Sequence, residues 1–254
     1  MPRAHQMKPI SYVKGIFMRQ TSACLTCVCL LLPDVLAQVP EFVNGGFEIP
    51  VTPFIEVIYT GSSDLVGWRV TGGSVEVISP TVWQPAAGNQ SLDMVGVLVR
   101  GSIEQDLVFT DVSTYHVTFE LSKNTRVAPP TQLGVWYRPP SSTSFIGLGL
   151  YEFNEAVSST DMMWRAEGTA SFTSEPGLYT FAFASLSGGG SYDTDTWGGP
   201  AIDEVQLVAG ASPFSPSMPP SYVLPPPLTI PEPSTTGVGV GVALLGFATW
   251  RRRA

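Results

Sequence analysis

Ser113-Thr114-Tyr115-His116-Val117-Thr118-Phe119-Glu120-Leu121 alternates without a break: Tyr115, Val117, Phe119 and Leu121 are apolar, while Thr114, His116, Thr118 and Glu120 are polar. A period of two belongs to a pleated strand, whose successive side chains leave on opposite faces. The stretch therefore predicts a half-buried antiparallel strand with His116 on its solvent face. The same pattern recurs at 73–79, 88–95, 101–109, 133–138, 144–153, 163–173, 178–185 and 201–208. Turn residues stand between these runs: Thr71-Gly72-Gly73, Pro85-Ala86-Ala87-Gly88, Ala128-Pro129-Pro130, Glu175-Pro176-Gly177 and Ser187-Gly188-Gly189-Gly190. No amphipathic helix of useful length and no internal repeat interrupts them. Eight or nine strands in about 170 residues predict an all-β fold, a two-sheet jelly-roll sandwich over residues 38–210.

Composition agrees. Only 13% of the residues are charged, with 25 Gly and 23 Pro, which suits a turn-rich β protein better than a helical cytosolic enzyme. Between Gln38 and Ile230 nineteen carboxylates face six basic residues, Arg69, Arg100, Lys123, Arg126, Arg138 and Arg165. No nucleic acid partner is expected, because neutralising phosphates needs a basic face.

Both ends read as targeting segments. Lys8, Lys14 and Arg19 precede an apolar run at 23–32, Pro33 breaks it, and Val35-Leu36-Ala37 offers a small-residue cleavage site. This is a signal peptide over 1–37 for the Sec export machinery, cut before Gln38. It would carry away Cys24, Cys27 and Cys29, leaving a mature chain with no thiol. At the other end, the Pro-rich stretch 211–230 reads as a semi-rigid extended spacer. Beyond it, 235–250 is free of charge and spans about 24 Å as a helix. That is short for a membrane crossing, but Trp250 at the interface and snorkelling Arg251, Arg252 and Arg253 extend its reach and keep the domain outside.

Pro231-Glu232-Pro233, one hydrophobic span and a terminal Arg cluster follow one another in order. The tail 231–254 resembles the PEP-CTERM sorting signal. That resemblance implies recognition by an exosortase in the inner membrane of a Gram-negative bacterium, with Pro231, Glu232 and Pro233 as the recognised residues.

Within the domain, Asn44-Gly45-Gly46-Phe47-Glu48, Gly67-Trp68, Gly73-Ser74-Val75-Glu76, Gly88-Asn89-Gln90-Ser91-Leu92-Asp93, Gly101-Ser102-Ile103-Glu104-Gln105, 115–122 and Gly199-Pro200-Ala201-Ile202-Asp203-Glu204-Val205 occur in sequence. Together they resemble the choice-of-anchor C family, a pattern shared with plant cell-wall proteins of unknown function. The resemblance implies a galactose-binding-domain-like jelly roll, an architecture that hosts carbohydrate binding and purely structural roles alike.

Candidate sites follow from phase and from that resemblance. Ala201, Val205 and Leu207 share an apolar phase, and Asp203 falls within it. An inward carboxylate must be hydrogen-bonded or metal-bound. By analogy with modules of this fold, Glu48 and Asp203 would join the first and last strands through a structural Ca²⁺. Alternatively Asp203 accepts backbone N–H bonds, or it begins the strand outside the core. Asp193-Thr194-Asp195 beside the Gly run could form a second calcium loop, but it lacks the further carboxylate spacing of one and reads as a solvated turn. Trp83, Trp136 and Trp197 are candidate platforms for stacking sugars, with Trp136 on an outer face because it opposes Leu133, Val135 and Tyr137; Trp68 reads as core. His116 is the only histidine after the signal peptide, so nothing builds a catalytic triad. The expected function is non-catalytic: an exported, exosortase-sorted protein that binds or organises extracellular polysaccharide. The alternatives are a structural or adhesive matrix protein and a secreted glycosidase.

Overall fold

The computed structural model describes residues 39–97, 99–188 and 198–222. The signal peptide, the 189–197 segment with Asp193, Asp195 and Trp197, the sorting motif at 231–233, the 235–250 span, Trp250 and the terminal arginines lie outside the described residues. Twelve strands run in chain order: β1 (Ile55–Tyr59), β2 (Arg69–Gly72), β3 (Ser74–Ile78), β4 (Ser91–Asp93), β5 (Ser102–Phe109), β6 (Thr114–Lys123), β7 (Thr131–Arg138), β8 (Ile146–Phe153), β9 (Arg165–Gly168), β10 (Phe172–Thr173), β11 (Gly177–Ser185) and β12 (Pro200–Ala209). They form two antiparallel sheets, β1-β3-β4-β12-β6-β10 with β9 also on β6, and β2-β5-β11-β7-β8. The fold is the expected jelly-roll sandwich.

β6 carries the logic of the core. Tyr115, Val117, Phe119 and Leu121 are all buried between the sheets, with Phe181 and Phe183 of β11 and Leu133 and Val135 of β7 facing them. Phe119 meets Phe183 edge-to-face at 5.8 Å, and Trp68 stacks on Phe42 at 5.4 Å, so Trp68 is core as expected. The polar side of β6 departs from expectation. His116 is only 5% exposed, and its Nδ1 donates to the Gly210 carbonyl at 3.1 Å. The chain leaving β12 covers the strand face that alternation alone assigned to solvent.

β12 departs further. Its pairing with β6 slips between Asp203 and Gln206, a β-bulge in which Glu204 adopts a φ of 50°. Before the bulge Ile202 faces the main core; after it Val205 and Leu207 do, while Ala201 belongs to a second, smaller cluster. Ala201 and Asp203 therefore lie on the outer face of the first sheet. The single apolar phase read across 201–207 is really two phases joined by an extra residue.

That outer face is roofed. Ile78, Trp83, Met162 and Ala201 pack together, and Ser122 Oγ donates to the Met162 carbonyl. Trp83 is 2% exposed, with Nε1 donating to Ser91 Oγ at 2.8 Å. The expectation that it is a sugar platform is overturned: its faces are consumed by this second core.

Asn44-Gly45-Gly46-Phe47-Glu48 fits the bulge. Val205 N donates to Gly45 O at 3.0 Å, and a Cβ on Gly45 would stand 2.1 Å from the Val205 carbonyl oxygen. Only glycine allows that approach.

Candidate functional site

On the outer face of the second sheet, β2, β5, β11 and β7 present their polar phase: Arg69, Glu104 and Asp106, Thr180, and Arg138. Antiparallel register places Arg69 opposite Glu104 and Thr180 opposite both Asp106 and Arg138. The result is one continuous network. Arg69 Nη1 donates to Asp106 Oδ2 at 2.8 Å and Nη2 to Oδ1 at 3.1 Å, with Glu104 Oε2 at 3.5 Å. Thr180 Oγ1 donates to Asp106 Oδ1 at 2.7 Å and accepts Arg138 Nη2 at 3.0 Å. The Arg138 guanidinium lies 5.0 Å above the Phe145 ring. Burial opposes the charge on Asp106, but the hydrogen bonds and charge of Arg69, with Thr180, hold its carboxyl below the ordinary carboxylate range.

This network borders a groove of about 720 Å³, lined further by Thr60, Ser62, Ser63, Leu65, Thr71 and Phe145. That volume falls within the range of small-ligand sites. Tyr222 adjoins it. Its hydroxyl donates to Glu104 Oε1 at 3.3 Å, and its ring lies 4.5 Å from Phe145 and 4.8 Å from Trp136.

The stretch expected to be a free spacer supplies Tyr222. As far as it is described, the segment 211–222 is extended but docked: Leu150 N donates to Ser217 O at 2.7 Å and Trp136 Nε1 to Pro220 O at 3.0 Å. The strap explains Trp136. It stands on the outer face, as its phase predicts, yet it is 1% exposed and offers no open stacking surface.

Glu48 and Asp203 do serve the same place, the 85–90 loop. Glu48 Oε1 accepts Asn89 N at 2.7 Å and Gln90 N at 3.1 Å. Asp203 Oδ2 accepts Ala86 N at 3.0 Å and Ala87 N at 3.2 Å, and Oδ1 accepts Glu204 N at 2.8 Å. Burial pushes the Asp203 carboxyl up to about 7 against these backbone bonds, and the charge of Glu204 adds to the rise. Calcium requires six to eight oxygen ligands. Among the described residues no group of three or more His, Cys, Asp or Glu side chains is placed to hold an ion. In this structure the two carboxylates cap the loop, which is the hydrogen-bonded alternative the sequence left open.

The groove residues escaped sequence reading. Arg69, Glu104, Asp106, Thr180 and Arg138 are each a polar-phase residue of a strand, and only strand pairing assembles them. The adjacency Trp68-Arg69 and the alternation Glu104, Asp106 were the visible traces.

Several carbohydrate-binding modules of known structure resemble this chain. The TmCBM61 module in complex with β-1,4-galactotriose is 12% identical, over 67% of this chain and 99% of its own, with a TM-score of 0.42. The CBM22-1 xylan-binding domain of Paenibacillus barcinonensis Xyn10C is 18% identical over 63% and 94%, with a TM-score of 0.37. A family 35 carbohydrate-binding module from Clostridium thermocellum is 13% identical over 61% and 99%, with a TM-score of 0.36. No curated protein matches the sequence. Residues 41–208, which include every strand but the last residue of β12, match the protein family of unknown function DUF642, and the chain belongs to that family.

Proposed function

We infer that this is an exported, non-catalytic surface protein whose sandwich binds polysaccharide along the groove of the second sheet. The groove carries the reading. Phe145 supplies an aromatic wall for the apolar face of a sugar ring. Arg69, Glu104 and Arg138 line the groove and supply donors and an acceptor for hydroxyl groups, with Asp106 and Thr180 holding the two arginines in position from beside it. A glycosidase would need a carboxylic acid kept protonated near neutrality beside a second carboxylate. In the groove Asp106 is shifted the opposite way. Asp203, raised to about 7 beside Glu204, is buried on the other sheet with its oxygens taken by backbone N–H groups, and His116 is buried against Gly210. Export and location rest on the sequence of the termini: a signal peptide at 1–37, and a tail at 231–254 that resembles the PEP-CTERM signal and would be cut by an exosortase.

The test is retention of the full-length chain in gels containing neutral polysaccharide. Phe145→Ala should weaken retention about tenfold, the loss expected of one stacking contact, with far-UV circular dichroism showing that the variant is folded. If the wild type is retained by none of the polysaccharides tried, the groove reading fails and the structural or adhesive alternative replaces it; release of reducing sugar would restore the glycosidase. For sorting, Glu232→Ala should leave export intact and accumulate the unprocessed chain in the membrane. Normal release would remove the exosortase from the account.

A further inference from the structure

Trp136 is laid flat on its sheet. A Cβ at Gly134 would come within 2.0 Å of the indole ring, so only glycine at that position lets the ring lie along the strand. A planar indole flat on the outer face of a sheet is a stacking surface in form, yet the strap closes it. Pro220 O takes the Nε1 proton at 3.0 Å, and the ring of Tyr222 lies 4.8 Å away at 48°.

Tyr222 itself is a six-membered ring bearing a hydroxyl. It is flanked by Trp136 and by Phe145, which meets it at 4.5 Å and 63°. Its hydroxyl reaches Glu104 Oε1 at 3.3 Å, beside the hydroxyls of Thr71 and Ser102, which are 3.0 Å from each other. Burial first, then the charge of Glu104, push the phenol up to about 12, so it remains a neutral donor at physiological pH. A pyranose makes related demands: a six-membered ring held among aromatic side chains, and a ring hydroxyl received by a carboxylate and its neighbours.

We propose that Tyr222 is an internal stand-in for a sugar: the strap 217–222 occupies a pyranose subsite formed by Trp136, Phe145, Glu104, Thr71 and Ser102, and a neutral glycan gains that subsite by displacing the strap. The proposal rests on the groove reading, since Glu104, Thr71 and Phe145 also line the groove and make the two continuous. The strap is a tethered competitor. It lowers apparent affinity by the fraction of molecules in which it is docked. Leu150 to Ser217 at 2.7 Å, Trp136 to Pro220 and Tyr222 to Glu104 join it to the second sheet, together with the ring contacts of Tyr222 on Trp136 and Phe145.

The experiment is affinity electrophoresis of the full-length chain in mild detergent, with hydroxyethylcellulose, galactomannan and polygalacturonate as probes. Tyr222→Ala should raise affinity for a neutral probe about tenfold, and Tyr222→Phe, which keeps the stacking and loses the hydroxyl bond, should raise it less. Adding Trp136→Ala to Tyr222→Ala should cancel the gain, with far-UV circular dichroism showing that the double variant is folded. Equal neutral-glycan binding by wild type and Tyr222→Ala overturns the strap and leaves the groove standing. A gain seen only with polygalacturonate overturns the neutral-sugar assignment. Binding by Tyr222→Ala but not by wild type supports the strap while removing the open groove as a site in the intact chain. No binding by either chain overturns both readings.

Discussion

The two outer faces of the sandwich handle their carboxylates in opposite ways. On the first sheet, Asp93 and Asp203 are both fully buried. Asp93 accepts Val95 N at 2.9 Å, Gly199 N at 3.2 Å and Asn124 Nδ2 at 2.6 Å, and Asp203 accepts three backbone N–H groups. On the second sheet, Glu104 and Asp106 are answered by side chains instead: Arg69, Thr180 and Tyr222. Backbone donors of a loop have nowhere else to go, so carboxylates that satisfy them hold the chain in place. Among the side-chain donors Arg69 is half-exposed on a long stem and can rotate and exchange partners. One face is tied to the backbone; the other is a side-chain network. The motif residues agree, since Gln90 Nε2 binds Phe47 O at 3.0 Å and Pro50 O at 2.7 Å, while Gln105 Nε2 binds Val43 O at 3.0 Å.

Asp93→Ala should have the largest effect on stability. It strands two backbone donors and the Asn124 amide in a dry interior, and should cost about 3–5 kcal/mol. Urea denaturation measures it. A loss below about 1 kcal/mol would mean that Asp93 is not framework.

Next comes pH. The folded Asp203 carboxyl sits at about 7, above its unfolded value of 3.8. The folded state therefore holds the proton more tightly. Its stabilising effect is complete below the unfolded value and is lost as pH rises through about 7. Asp93, also raised by burial and then by the charge of Glu76, acts in the same direction. From pH 5 to 7 the Asp203 share is about 2 kcal/mol. Melting temperature should fall over that window, and Asp203→Asn should flatten the fall. An unchanged slope in the variant would remove Asp203 as the cause.

The smallest effect on stability belongs to the groove. Arg69→Ala removes a half-exposed ion pair with Asp106 and should cost under about 1 kcal/mol. It should weaken neutral-glycan retention far more than it lowers the melting temperature. A variant that lost several kcal/mol would make Arg69 framework too, and the contrast between the two faces would close.

Alternation in 113–121, turn residues at regular spacing and motif order along the chain were enough to reach a two-sheet sandwich, because a strand's period and a turn's preference are local properties of the chain. The inward set Tyr115, Val117, Phe119 and Leu121 was legible for the same reason, as was the outward placing of Trp136. The bulge at Asp203–Gln206 was not, because one inserted residue reverses phase without altering composition. Nor was the burial of Trp83 and His116, which depends on segments arriving from far along the chain to cover a face that alternation marks as wet. The groove needed four strands paired in register before Arg69, Asp106, Thr180 and Arg138 could meet. The strap needed a proline-rich segment, extended by its composition, to find Trp136 86 residues upstream of Tyr222. Secondary structure is set by neighbours in sequence; which face is covered, and by what, is set by contacts between distant residues, and only the folded chain contains those.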